Sequence, residues 1–314
     1  MSIENNITKS PIDKENALEL FLKCKDFTVS NEIFSLLKDK NTEILITNPQ
    51  PKLKDLSTYY ESDAYISHTD SDKSLFDKVY QFAKNYAIKR KVTLIQKLTT
   101  KDHSEVSEPK TILDIGCGTG DFLTACKKEN FNVVGVEPNK KARVLAKSKL
   151  GILTSKIDTI HNNYPKIHTA LNAIEETFDF ITMWHVLEHV PNLEDYIIQL
   201  KQLLKPNGTL IIAVPNYKSF DAKHYKEFWA AYDVPRHLWH FSQKAIKDLF
   251  EKEKMHIEKI RPMKLDSFYV SLLSEKYKTG KSKPIKAFYI GMLSNLKAIS
   301  SKEYSSLIYI LKNN

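Results

Sequence analysis

The chain has 314 residues, 42% of them hydrophobic, with three cysteines and a net charge of +9. That is enough apolar material for a packed core, and no stretch approaches the roughly 20 continuous apolar residues of a membrane span. Residues 1–13 are polar and are expected not to act as a secretory signal. Cys24, Cys117 and Cys126 are too scattered for a disulfide framework, so a cytoplasmic protein is expected.

In chain order, residues 32–37 and 42–47 are short apolar runs around Lys38-Asp39-Lys40-Asn41, the pattern of a hairpin. The prolines at 49 and 51 end any regular element there. Residues 74–98 carry apolar side chains at 75, 76, 79, 82, 83, 86 and 87, spacings of three and four that predict one buried face of a long helix. Residues 101–110 are polar and read as a linker. From 111 the pattern becomes strand, helix, strand, helix: strands over 111–115, 133–136, 178–184 and 209–214, helices over 121–129, 140–149 and 193–204, with a turn at Pro206-Asn207-Gly208. Ser242 is placed to cap a helix through Phe250. Residues 256–260 and 306–311 read as strands, with a mostly helical insertion at about 267–298 between them. This alternation predicts an α/β protein with a parallel sheet covered on both faces.

Residues 264–314 hold nine lysines against Asp266, Glu275 and Glu303. Such an excess is most simply a solvated surface. It can also attract an anionic membrane surface, and peripheral membrane contact through this region is one expectation. The aromatic-studded basic motifs of nucleic-acid binders are missing from the sequence, so no stable nucleic-acid partner is expected.

The chemistry concentrates at Asp114-Ile115-Gly116-Cys117-Gly118-Thr119-Gly120, between the first of these strands and its helix. Glycines there permit a tight turn and close backbone approach to a ligand, and the helix start offers unsatisfied N–H groups. Alone, such a turn merely joins strand to helix. Glu137 ends the next strand, 23 residues after Asp114, where an acid can accept hydrogen bonds from both ribose hydroxyls of a nucleoside. The G-x-G-x-G spacing and the carboxylate before the turn disfavour a pyrophosphate, and with it a nicotinamide dehydrogenase. They suit S-adenosyl-L-methionine, whose ammonium an acid can bind.

Residues 112–120, 134–138 (Val134-Gly135-Val136-Glu137-Pro138) and 178–191 together resemble the motifs of the class I S-adenosylmethionine-dependent methyltransferases, and most the ubiquinone-biosynthesis-type O-methyltransferases. The resemblance implies a Rossmann-like fold with a seven-stranded, mostly parallel sheet and an antiparallel last strand. It would be preceded by an N-terminal accessory region, residues 1–105, with 106–314 forming the cofactor-binding domain. It implies that Asp114, Gly116, Cys117, Gly118 and Gly120 pack on the methionine part of the cofactor, that Glu137 binds the ribose, that Pro138 flanks the adenine, and that Met183 and Trp184 line the other side. Asp158 and Leu171 are alternative adenine neighbours.

His185-Val186-Leu187-Glu188-His189 matches H-x-x-E-H, a zinc-protease pattern. It follows a strand directly and is cut by Pro191, so the regular helix that this chemistry needs has no room. The resemblance also implies a divalent-ion trio of an acid, a Glu and a His, but this chain has His185 where relatives carry the acid. No metal site is therefore expected, and Cys24 lacks the partners of a zinc knuckle.

The acceptor is expected at the loop from Tyr232 to His240, at the carboxyl ends of the strands. His237 or His240 is expected to act as general base and Arg236 to bind an anionic group, with Tyr232, His185 and Tyr60 lining the acceptor site. The competing reading is a rigid loop of structural histidines. The tyrosines around residues 59–65 either lid the acceptor or pack the N-terminal region against the rest. The whole predicts methyl transfer to a small-molecule or lipid-linked acceptor, on oxygen. The alternatives are an RNA or protein methyltransferase using the basic end, and a non-catalytic cofactor-binding scaffold.

Overall fold

The computed structural model describes residues 7–52, 55–60, 75–99, 108–150 and 176–314, with the side chains of residues 57 and 75–80 set aside. Strands β1 (Leu18–Lys25), β2 (Ile33–Asp39) and β3 (Leu45–Asn48) form an antiparallel sheet. The expected hairpin is β2–β3. Helix α1 (Leu75–Thr99) precedes the second sheet. There, β4 (Thr111–Ile115), α2 (Asp121–Lys128), β5 (Asn132–Val136) and α3 (Lys140–Leu150) come in turn. Next come β6 (Phe178–Trp184), α4 (Leu193–Gln202), β7 (Leu204–Pro215) and α5 (Phe220–Tyr225). The chain ends with β8 (Trp239–His240), α6 (Gln243–Lys252), β9 (Met255–Pro262), α7 (Asp266–Thr279), α8 (Pro284–Ser301) and β10 (Ser306–Asn313).

The larger sheet has the order β5-β4-β6-β7-β10-β9, with β5, β4, β6 and β7 parallel and β10 antiparallel to both neighbours. Six strands are thus seen among the described residues where seven were expected. The expected position of the missing one, between α3 and β6, falls on residues 151–175, outside the described residues, as do Asp158 and Leu171. Strands β4, β6 and β7 are apolar on both faces because helices cover both sides. The chain leaves β4 toward β5 on one side and returns to β6 on the other. The carboxyl ends of β4 and β6 therefore part and open a ligand crevice, as at the switch point of any such sheet.

Two local expectations are corrected. Pro206-Asn207-Gly208 is not a turn but a bulge inside β7: Phe178 pairs with Leu204 and Phe180 already with Thr209. A side chain at Gly208 would sit 2.9 Å from the carbonyl oxygens of Lys205 and Phe178, so the bulge needs glycine. In α1, Phe82 and Tyr86 face solvent. Among the described side chains of α1, the buried ones are Val92, Leu94 and Ile95, which pack with Ile112 and Phe122.

The smaller sheet is completed from far along the chain. Strand β8 pairs with β3, Leu45 opposite His240 and Ile46 opposite Trp239. Ile44 and Ile46 share one core with Leu113, Met183, Leu238 and Trp239. The insertion α7–α8 is tied down by the buried Asp221 of α5, which accepts from Trp229 Nε1, Ser294 Oγ and Ser305 Oγ.

Candidate active site

The glycine turn closes on itself before it meets any ligand. Gly116, Gly118 and Gly120 all have positive φ, of 74°, 55° and 77°. At Gly116 a side chain would also strike Val186 at 2.5 Å, whereas at Gly118 no described residue lies within 4 Å of the missing Cβ. The crevice is open at Gly118 in particular. The Gly118 amide donates to Glu137 Oε2 at 2.8 Å and the Asn139 amide to Oε1 at 2.7 Å. Glu137 is thus fixed by two backbone donors, while burial pushes its pKa up. Each oxygen keeps a second lone pair for a further donor.

Beneath the turn, Asp114 is 2% exposed and accepts from Thr182 Oγ1 at 2.5 Å. Burial pushes it up to about 7, helped by the nearby Glu137 charge and opposed by the Thr182 hydroxyl and Lys91. Lys91 reaches over from α1, with its Nζ 4.3 Å from the Trp184 ring centre. Burial pulls its pKa down, and Asp114 and Asp266 are the charges that oppose this.

Past the end of β6 the chain turns sharply. His185 has a left-handed φ of 58° and its amide is held by the Ala213 carbonyl at 2.9 Å, a backbone state that non-glycine residues take at a cost and that clusters at functional sites. A single 3-10 turn, Leu187–His189, comes next instead of a regular helix. His185 Nε2 lies 3.1 Å from Asp266 at the start of α7, and Nδ1 lies 3.4 Å from Glu188. Burial alone would lower His185, but the two carboxylates outweigh it and raise it to about 10. Glu188 is 1% exposed and neither of its oxygens accepts a hydrogen bond. His237 Nε2 stands 4.0 Å from Glu188 Oε1, and the His189 and His237 rings meet edge to face at 4.5 Å. Tyr60 OH touches His189 Nδ1 at 2.8 Å.

The structure gathers Tyr60, His185 and His237 at one place, and adds four residues that sequence reasoning left out of the expected acceptor site: Lys91, Glu188, His189 and Asp266. Other expected residues have different work. Arg236, expected to bind an anion, spends its donors inside the fold on Asp26, Asp233, Thr28 and the Tyr59 carbonyl. His240 has Nε2 3.0 Å from Thr47 Oγ1, and deep burial holds it well below its usual pKa. Tyr232 is 3% exposed, packed edge-on against Trp229 and His240. Met183 is wholly buried among core residues, so Trp184 alone presents the end of β6 to the crevice. Cys117 contributes backbone only. Its thiol packs against Gly135, where burial pushes its pKa up. Among the expected lid tyrosines, residue 65 lies outside the described residues.

Residues 82–253, more than half of the chain, match the model of a family described as "Methyltransferase domain". The chain is 37% identical over 111 residues to the ubiquinone biosynthesis O-methyltransferase of Actinobacillus pleuropneumoniae, covering 34% of this chain and 46% of that one. It is 31% identical over 132 residues to the enzyme of the same name from Rickettsia canadensis, covering 39% and 49%. The match thus spans about half the length of these curated relatives. Among solved structures, the chain resembles the magnesium protoporphyrin IX methyltransferase of Synechocystis PCC 6803, crystallised with bound SAH. The TM-score is 0.50 at 13% identity, over 83% of this chain and 100% of that one. At that identity the likeness concerns the fold alone.

Proposed function

The chain belongs to the methyltransferase domain family, and from that premise we propose that it binds S-adenosyl-L-methionine at the β4–β5–β6 crevice and methylates a hydroxyl of a small-molecule acceptor. The observation that carries this reading is the pairing of Glu137 with Gly118. A carboxylate pinned by two amides sits at Gly118, the point of the turn that no described residue covers, which fits a ribose diol and would repel a phosphate. When bound, the cofactor supplies a methyl group on a positively charged sulfur. Glu137 binds the ribose, Asp114 takes the ammonium, Lys91 meets the carboxylate, and the Trp184 ring borders the sulfonium. Gly116, Gly120, the Cys117 backbone and Pro138 shape the bed. On the acceptor side, the hydroxyl gives up its proton to the group formed by Glu188, His189 and His237 as its oxygen attacks the methyl in line. His185 and Tyr60 border that space, and His240 positions the loop through Thr47.

Calorimetric titration tests the reading. Binding of S-adenosylmethionine is expected, weakened about 10- to 100-fold in Glu137→Ala, the value of a charge-assisted hydrogen bond. Tighter binding of NADH would sink it.

The acceptor is lipid-linked on this reading, and the α7–α8 insertion rests on an anionic membrane surface. Ile285, Phe288, Tyr289, Met292, Leu296 and Ile299 of α8 are all exposed. Their spacing sets them in one stripe roughly 100° wide, opposite the buried Ala287, Ile290, Gly291, Ser294 and Ala298. The helix has Lys286 and Lys297 and no acid, the makeup of an interfacial helix. Asp266, at the head of the same insertion, touches His185. Co-sedimentation with phosphatidylglycerol vesicles, lost in Phe288→Glu and on neutral vesicles, is the expected result. Equal binding by that variant would remove the helix from the proposal.

A further inference from the structure

The buried Glu188 carboxylate has an ion-pair neighbour in His185, whose Nδ1 lies 3.4 Å from Oε1, and no hydrogen bond from any described residue. Leaving such a group unsatisfied costs more than an ordinary bond gains. Besides His185, two histidines face it from different parts of the chain, and one ligand atom from each of Glu188, His189 and His237 lies within 4.8 Å of the others. Both rings are held by backbone carbonyls: His189 Nδ1 is 3.0 Å from the Arg236 oxygen and His237 Nδ1 is 2.9 Å from the Ala231 oxygen. A carbonyl only accepts, so each Nδ1 carries the proton, which at His189 also faces the Tyr60 hydroxyl at 2.8 Å, and each Nε2 the lone pair. This is the arrangement by which outer hydrogen bonds prepare imidazoles to hold a metal.

His185 also borders Glu188, but its two nitrogens lie between carboxylates, Nε2 3.1 Å from Asp266 and Nδ1 3.4 Å from Glu188, so neither is turned to a shared ion. The acid–Glu–His trio that the resemblance implies is therefore not formed at residues 185, 188 and 189. The missing ligand comes instead from the loop ahead of β8.

We propose that Glu188, His189 and His237 bind a divalent first-row transition-metal ion, with His237 as the third protein ligand. Two imidazoles and one carboxylate suit Zn²⁺, Fe²⁺ or Co²⁺. Mg²⁺ prefers oxygen ligands and keeps its waters. Metal–ligand bonds of about 2.0–2.2 Å place tetrahedral ligands about 3.3 Å apart. The 4.0 Å between His237 Nε2 and Glu188 Oε1 must therefore close by several tenths of an ångström, within reach of side-chain rotation. With the ion bound, the two Nε2 atoms would be its ligands rather than proton acceptors, and the position left open would take a water or an acceptor hydroxyl, whose pKa such an ion lowers. The inference concerns binding alone and does not need methyl transfer to be correct.

The test uses the full chain without a histidine tag, stripped by chelator and titrated with CoCl₂, ZnCl₂ and MgCl₂. The expected result is one equivalent of Co²⁺ bound at micromolar concentration or tighter, with visible d–d absorption, displaced by Zn²⁺ and indifferent to Mg²⁺. His237→Ala and Glu188→Gln should each weaken binding by about 100-fold or more, while His185→Ala retains it. Binding that needs millimolar ion, that Mg²⁺ matches, that survives His237→Ala, or that His185→Ala abolishes overturns the proposal. Should a variant fail to fold, diethylpyrocarbonate labelling of the unaltered protein decides: Zn²⁺ should protect His189 and His237, and labelling unchanged by Zn²⁺ is the adverse outcome. Cofactor titration on the same stripped protein separates a failure here from a failure of the methyltransferase reading.

Discussion

At the scale of single residues, Asp114 is the side chain whose charge state the fold has tuned most consequentially. Its ordinary pKa lies near 4, but burial lifts it to about 7. If its carboxylate takes the cofactor ammonium, the affinity must depend on pH in a defined direction. Below about 7 the acid is protonated and neutral, and binding is weak. Above it the carboxylate forms and binding tightens. Calorimetry between about pH 5.5 and 8.5 should show affinity for S-adenosylmethionine rising across that window, and Asp114→Asn should flatten the curve. A profile unchanged by the substitution would remove Asp114 from the contact. Gly116 supplies a second expectation. Gly116→Ala combines a positive φ with a 2.5 Å contact to Val186, so it should lower stability by at least about 1 kcal/mol and loosen cofactor binding, as thermal melts with and without cofactor would show.

At the scale of elements, Asp121 joins three helices. From the first turn of α2 it pairs with Lys149 of α3 at 2.6 Å and Lys84 of α1 at 2.8 Å. Burial alone would raise its pKa. The two lysines and Thr119 overcome this and bring it down to about 2. A carboxyl with a depressed folded-state pKa gives stability that is complete above its unfolded value, near 3.9, and disappears as pH falls toward about 2. Asp121→Asn should therefore cost about 1 kcal/mol at neutral pH, as partly exposed ion pairs do, and nothing at the acid end of that window. Equal melting temperatures at neutral pH would refute this.

Elements of this kind are legible in the sequence because their signals are local. The strand, glycine turn, helix and acid of residues 111–137 lie within one short stretch, and Ser242 caps α6 from three residues before its target, the Ala245 amide. The expected acceptor side is less legible because its geometry is made by distant partners. That His237 faces Glu188 depends on the Ala231 carbonyl and on β8 joining β3. That His185 turns to Asp266 depends on an insertion far along the chain. Arg236 reads as an anion binder because an arginine in a histidine-rich loop gives no sign of a buried Asp26 waiting 210 residues earlier. The bulge at Gly208 reads as a turn because both want the same residues.

At the scale of the whole molecule, Arg236 fastens the N-terminal sheet to the loop ahead of β8. Its side chain is 2% exposed and Asp26 is fully buried. Removing one member of a buried pair leaves the other charge uncompensated, at about 3–5 kcal/mol. Arg236→Ala should show that loss in chemical denaturation, and a loss below about 1 kcal/mol, the range of a surface pair, would show the pair to be incidental. Arg236→Lys should recover little, because an ammonium cannot reproduce the fork that spans Asp233 and Asp26.

The pairing of β3 with β8 also bears on how the protein is made. Ribosomes release the first strands long before residues 239–240, yet until those arrive one edge of β3 presents open amides and carbonyls in the sequence Leu45-Ile46-Thr47-Asn48. That edge carries no charge or proline to discourage a second chain from pairing with it. Domains usually fold as they emerge, N-terminal end first. Here β3 must wait for a strand made long after it, and a nascent or truncated chain ending before residue 239 carries a sticky edge. The cell's share of intact protein would then depend on how long synthesis leaves that edge uncovered, a hazard that chain-length-dependent aggregation of such fragments would reveal and that their solubility as monomers would disprove.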